Sequence, residues 1–254
     1  MKDGTLGRVN MVISMKVKQP VVLHLLAVLV WAPCGWADDP LPKHLRDAES
    51  FVQGLNLEHT SYRHGNPLMQ WTVPEQSHTD CSGFMDSLLE HSYGYDRDAL
   101  NRWFGVPRPT AARFHDAIVD GRGFTKISKV EDIRPGDILA VKYFVDKPNT
   151  GHVMLADGIA HHMEEIEPVQ PGTQQWEIAI IDSSESGHGI ADSRHKKGAN
   201  GKDHQGLGTG TLRLYTLPDG TVAGFSWSTL KISKFVRPED EHLVMGRIRP
   251  DFQP

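Results

Sequence analysis

Hydrophobic positions along the chain follow two different rhythms. Up to about residue 120 they recur at helical spacing. Residues 43–56 place Leu45, Phe51, Val52 and Leu55 on one side of a short helix. Cys81, Phe84, Met85, Leu88 and Leu89 follow the i, i+3, i+4, i+7, i+8 rule and share one face of a helix over about 81–92. Further helical patterns cover 97–104 and 109–119, the last opening at Pro109-Thr110 and ending before Gly121. The polar and aromatic stretch 60–79, with Pro67 and Pro74, reads as loop. Later in the chain the runs 138–144, 152–156, 176–181, 211–216, 222–227 and 243–248 are short, apolar or alternating, and bounded by turn residues. They read as strands. Helices first and strands afterwards predict an α+β domain, with helices packed on one face of an antiparallel sheet of about five or six strands. Residues 187–210, with seven glycines and three histidines, fit neither rhythm and predict a long loop. Within it, 206–211 resembles a phosphate cradle but joins no strand to a helix, so it reads as a turn. Phe225, Trp227 and Phe235 are expected in the core.

The N-terminus has its own pattern. Residues 21–32 form a 12-residue apolar run broken only by His24, with Lys16 and Lys18 before it and Gly35 and Ala37 flanking Trp36 after it. A basic start, a short apolar stretch and small residues at alternate positions describe a secretory signal peptide over 1–37, followed by one domain over 38–254. The run falls short of the roughly 20 residues a bilayer-spanning helix needs, so no stable membrane span is expected after cleavage. An uncleaved anchor and a buried helix are the competing readings. Met11 and Met15 are alternative starts. The expected location is secreted or periplasmic.

Composition narrows the field. With 39% hydrophobic and 23% charged residues and 2 Cys, the chain is neither a disulfide-built scaffold nor a disordered one. Cleavage after Ala37 would move the net charge from −5 to −8 and remove Cys34. The acidic balance argues against a nucleic-acid partner held through phosphates. A lipid-modified Cys34 ranks below removal with the signal. Cys81 is then a lone thiol without a disulfide partner: a core residue, an intermolecular bridge or a reactive group.

Its position favours chemistry. Thr79 or Asp80 would cap the helix, placing Cys81 in the first turn, where free N–H groups and the helix dipole stabilise a thiolate. The negative Asp80 next door opposes this, so a cationic partner is required. His152 opens a strand after the turn at 148–151 and is the candidate, since a sheet can hold an imidazole against a helix start. Asp182 closes the next strand and can orient that ring, with His188 as a rival for the third position. His161, His162, His188, His195 and His204 include no i, i+4 pair on a credible helix. They read as solvated loop histidines, and neither metal nor cofactor is expected.

A resemblance adds to this. Asp80-Cys81-Ser82-Gly83-Phe84 resembles the nucleophile motif of the NlpC-type cell-wall cysteine peptidases, a papain-like family. Arg134-Pro135-Gly136-Asp137-Ile138 resembles the turn and strand before their histidine, and Gly151-His152-Val153 resembles the histidine motif. Ile181-Asp182-Ser183-Ser184 stands where the third polar residue belongs, and Tyr62 where an aromatic flanks the nucleophile. The motifs arrive in family order. The stretch from Tyr62 to Cys81 is longer than the family's, which leaves open whether Tyr62 reaches the site. The resemblance implies a papain-like fold and a cysteine peptidase or amidase with Cys81, His152 and Asp182 as its catalytic triad. It further implies Tyr62, Asp80 and Ser82 as substrate-binding positions and a peptidoglycan peptide or other amide as substrate. The competing function is an inactive envelope protein that binds cell-wall peptide or a protein partner. Residues 187–210, just beyond Asp182, are expected to cover the cleft.

Overall fold

The computed structural model describes Met1 and residues 40–144, 149–198 and 200–254. The signal-peptide reading and Cys34 lie outside the described residues. Helix α1 (Lys43–Gly54) buries Leu45, Ala48 and Phe51, and is followed by the short strands β1 (Thr60–Tyr62), β2 (Leu68–Gln70) and β3 (Gln76–Thr79). Helices α2 (Cys81–Tyr93), α3 (Arg97–Phe104) and α4 (Ala111–Val119) come next. Gly94 and Gly105 end α2 and α3 in the left-handed conformation, a helix stop that glycine adopts without strain. The strands β4 (Phe124–Ile127), β5 (Ile138–Tyr143), β6 (Gly151–Ala156), β7 (His161–Met163), β8 (Gln174–Ser184), β9 (Gly206–Thr216), β10 (Val222–Ser226) and β11 (Glu241–Ile248) complete the chain. Among the described residues no helix is long and apolar enough to cross a membrane.

The strands β4 to β11 form one sheet in the order β10-β9-β8-β6-β5-β11-β4, with β7 added beside β8. Every pairing in it is antiparallel. The α+β class holds, but the sheet has eight strands rather than five or six. The two extra strands, Phe-Thr-Lys-Ile and His-His-Met, are too short and too polar to show a period of two. A separate small sheet, β1-β3-β2, occupies the stretch expected to be loop. Its three- and four-residue strands are mostly polar and carry no periodic signal.

Alternation divides the core in two. Ile138, Ala140, Val153, Leu155 and Ile181 face the helices and pack against Phe84, Met85, Leu88, Phe114 and Ile118. The residues between them, Leu139, Val141, Met154 and Ile180, face a second core with Val130, Leu212, Leu214 and Phe225. The sheet curls round that second core. The segments that follow β4 and precede β10 meet where Lys129 pairs with Thr221 and the Val130 N–H donates to the Gly220 carbonyl at 3.1 Å. The helix-facing core matters for the site, because it seats the start of α2 against β6 and β8.

The stretch read as a turn, 206–211, is the first half of β9, paired residue for residue with β8 from Ser184↔Gly206 to Ala179↔Thr211. The predicted loop therefore ends at Gln205. Gly206, Gly208 and Gly210 alternate onto one face, and the preceding loop lies flat on that stripe. A side chain at Gly208 would meet Ser193 Oγ at 2.6 Å, and one at Gly210 would meet Asp192 Oδ2 at 2.6 Å. Close approach of loop side chains at Gly208 and Gly210, and of β1 at Gly206, is the reason for this glycine alternation.

Candidate active site

Asp80 caps α2, its Oδ1 accepting the Gly83 N–H at 2.7 Å. Cys81 is therefore the first residue of the helix and is 4% exposed, with its own N–H and that of Ser82 lacking any acceptor within the helix. The like charge expected to oppose a thiolate is balanced. Arg108 Nη2 reaches both Asp80 oxygens at 3.3 and 3.2 Å, and His64 Nδ1 lies 3.1 Å from Oδ2. Ser82 Oγ donates to Asp80 Oδ1 at 3.2 Å. Asp80 and Ser82 thus hold the helix start together, on either side of Cys81.

His152 is delivered by β6. Gly151 before it has φ +152°, and any side chain there would run into the Val141 carbonyl oxygen, so only glycine lets the strand begin this close to β5. His152 Nε2 donates to Asp182 Oδ2 at 2.5 Å, and the ring also makes a side-chain hydrogen bond with Cys81. Cys81, His152 and Asp182 thus form one hydrogen-bonded chain across α2, β6 and β8.

Electrostatics follow the same line. Burial by itself would lower the His152 pKa, but the Cys81 charge, hydrogen bonds to Asp182 and Cys81, and the Asp182 charge outweigh it and push it up to about 10. Burial would raise the Asp182 pKa, yet Arg194 and His188 with their charges, and the imidazole hydrogen bonds, hold it well below the carboxylate range. Asp182 is wholly buried. Arg194 Nη1 lies 2.9 Å from its Oδ1 as a charge pair, while the N–H bonds of Nη1 point to the Asp182 and Gly206 carbonyls at 3.1 and 3.0 Å.

These shifts set a stability window. A histidine whose pKa rises on folding contributes fully below its unfolded value of 6.5 and loses that contribution as pH climbs through about 10. A carboxylate lowered on folding contributes above its unfolded value of 3.8 and loses it as pH falls through the depressed value. From these two groups the melting temperature is expected to decline between pH 6.5 and 10. His152→Ala should flatten that decline, and so should Cys81→Ala, because the Cys81 charge is the largest influence raising the histidine. An alkaline decline unchanged in both variants contradicts the coupling.

A cavity of about 280 Å³ opens over His152, walled by Tyr62, Tyr143, Asn149 and Trp227 and rimmed by residues 184–188. Tyr62 does reach the site, because β1 runs parallel to β3 and pairs Tyr62 with Thr79, two residues before Cys81. Burial first, and then the Cys81 charge among others, raises the Tyr62 pKa. Burial, Glu241 and Cys81 do the same for Tyr143, so both phenols stay protonated and able to donate. Trp227, expected in the core, is partly buried and packs against the second core, and it also stands edge-on to His152 with ring centroids 5.4 Å apart.

The structure also corrects the reading of the histidines. His188 is buried rather than solvated, and its Nε2 lies 3.0 Å from the same Asp182 Oδ2 that His152 uses. His161 and His162 lie in β7 rather than in a loop. Among the described residues His152, Asp182 and His188 are the group near enough to share a cation. Their facing atoms are already joined by hydrogen bonds, and a cation would have to displace both protons on Oδ2. Of residues 187–210, expected to cover the cleft, only Gly187 and His188 line the cavity, while Asp192 and Arg194 are buried. Tyr143, Trp227 and Arg194 were not singled out from sequence for the site. For Arg194 the available signal was the Gly-x-Gly-x-Gly stripe, which demands a segment packed flat upon it.

No family model matches the chain, and no solved structure matches it. A protein of Acanthamoeba polyphaga mimivirus, described as uncharacterized, is 32% identical over 203 residues, covering 74% of this chain and 88% of that protein.

Proposed function

The chain belongs to one family with that mimivirus protein, and on that premise we propose that it is a cysteine hydrolase of papain-like, NlpC-type fold that cleaves an amide bond. The observation that carries the reading is the chain of hydrogen bonds from a helix-start thiol through His152 to the buried Asp182. Cys81 is the nucleophile, His152 the general base and acid, and Asp182 the group that fixes the ring's tautomer. His152 accepts the thiol proton and the sulfur attacks the carbonyl carbon. The oxyanion forms beside the Cys81 N–H at the helix start. His152 then returns its proton to the departing amine, and water cleaves the thioester to restore the thiol. The motif order supports a peptide of the bacterial cell wall as substrate, and the N-terminal pattern supports action outside the cytoplasm.

Alkylation tests the reading directly. Iodoacetamide should modify Cys81 well over tenfold faster than free cysteine near neutral pH, because an adjacent imidazole base activates a thiol toward an electrophile. Labelling at or below the free-cysteine rate overturns the hydrolase and leaves a peptide-binding protein. Incubation with purified muropeptides, with products weighed by mass spectrometry, then identifies the bond.

A further inference from the structure

We propose that His188 is a positioning residue that donates both ring N–H groups, one to Asp182 and one to the Trp227 carbonyl, and so sets how firmly His152 holds its proton. The proposal rests on the hydrolase reading for its consequence, but the double donation itself follows from hydrogen-bond chemistry. His188 Nε2 is 3.0 Å from Asp182 Oδ2 and Nδ1 is 2.8 Å from the Trp227 carbonyl oxygen. An ionised carboxylate and a carbonyl accept and cannot donate. A neutral imidazole carries one N–H and satisfies one of them. Both contacts together require both ring protons.

The surroundings fix the ring in that seat. The His188 N–H donates to Asp192 Oδ2 at 2.6 Å, and its carbonyl accepts the Thr211 N–H of β9 at 2.8 Å. Asp192 is gripped by Arg194 through Nε at 2.9 Å and Nη2 at 2.7 Å, and Arg194 is itself paired with Asp182. Gly210 leaves the room, since a side chain there would stand 2.7 Å from His188 Cβ. The titratable and charged groups facing the ring are then Asp182, His152 with Cys81 behind it, Asp192 and Arg194 from the loop, and Glu185 at the cavity rim. Tyr62 and Tyr143 face it uncharged across the cavity.

The consequence lies in the acid step. A carboxylate shared between two imidazolium rings and an arginine binds each proton less tightly than one serving His152 alone. His152 therefore gives up its proton to a leaving amine more readily. Removing the second positive charge should raise the pKa of every neighbour.

Imidazole ¹⁵N NMR of the wild-type chain at pH 7, assigned through bonds, is the first test: both His188 nitrogens should carry protons. A bare ring nitrogen overturns the proposal. The second test is the pH profile of iodoacetamide alkylation in His188→Gln, whose carboxamide still donates to Asp182 but carries no charge. The profile should move up by about one pH unit, and an unmoved profile in a folded variant overturns the proposal. The NMR result stands even if the variant does not fold. Slow alkylation of the wild type at every pH defeats the hydrolase reading, and the nitrogen signals alone then decide the charge of His188.

Discussion

Cys81→Ala is expected to reduce cleavage of muropeptides by about 10⁴-fold or more while leaving the domain folded. The magnitude follows from covalent catalysis. With no sulfur the reaction keeps only the helix-start N–H groups and whatever binding the cavity supplies, and these leave a small remainder over the uncatalysed rate. The fold should survive because the lost atom lies at the end of α2, whose burial depends on Phe84, Met85, Leu88 and Leu89. A second consequence is independent of turnover. The charge that most raises His152 is gone, so its pKa should fall from about 10, readable by ring NMR. Retained cleavage in Cys81→Ala removes the sulfur from the mechanism. An unmoved His152 resonance denies that the two groups interact.

Arg194→Met is the substitution expected to cost most in stability. Arg194 is wholly buried and joins Asp182 and Asp192, two carboxylates with almost no access to water. Burial would raise the pKa of Asp192, and the Arg194 hydrogen bonds and charge more than reverse this. Methionine fills much the same space and supplies no charge, which strands both anions. Breaking one side of such a pairing costs about 3–5 kcal/mol, or roughly 6–20 °C in melting temperature for a domain of this size. Arg194→Lys should fall between, because an ammonium restores the charge but cannot span Asp192 with two parallel donors. A melting temperature unchanged in Arg194→Met would place the arginine outside the load carried by this network.

What could be foreseen from the chain depended on how far each signal extends along it. α2 and α3 repeat an apolar face over two or more turns, and their limits were legible within a residue. β5, β6, β10 and β11 carry enough alternating apolar residues to stand out between turns. β1, β2, β4 and β7 do not, because three or four residues hold at most two periods of two, and β4 owes its pairing to β11, distant in sequence. The glycine stripe of β9 was misread because glycine usually marks a turn, whereas its period of two recorded loop side chains and β1 pressed against one face of the strand.

The candidate site divides similarly. Cys81, His152 and Asp182 each sit at a position that local pattern identifies: a capped helix start, a strand opening after a turn, and an acid in the next strand. His188 could be weighed only as a rival to Asp182, since nothing local distinguishes a buried imidazolium from a loop histidine in water. Arg194 was invisible for the same reason. Its partners Asp182 and Gly206 are twelve residues away on either side, and only the folded loop brings them together.

The way β1 and β3 lie side by side has one further implication. Tyr62 and Thr79 are locked in register, and Thr79 is tied to β8 by the Ser183 hydroxyl, which donates to its carbonyl at 2.8 Å. Leu207 at the start of β9 likewise donates its N–H to the Thr60 hydroxyl at 2.8 Å. Residues 63–75 leave and return through this fixed gateway, so segments of quite different length could be spliced between them without altering the spacing of sulfur and imidazole. That excursion is the natural place for relatives to diversify what they recognise while keeping the reactive centre intact.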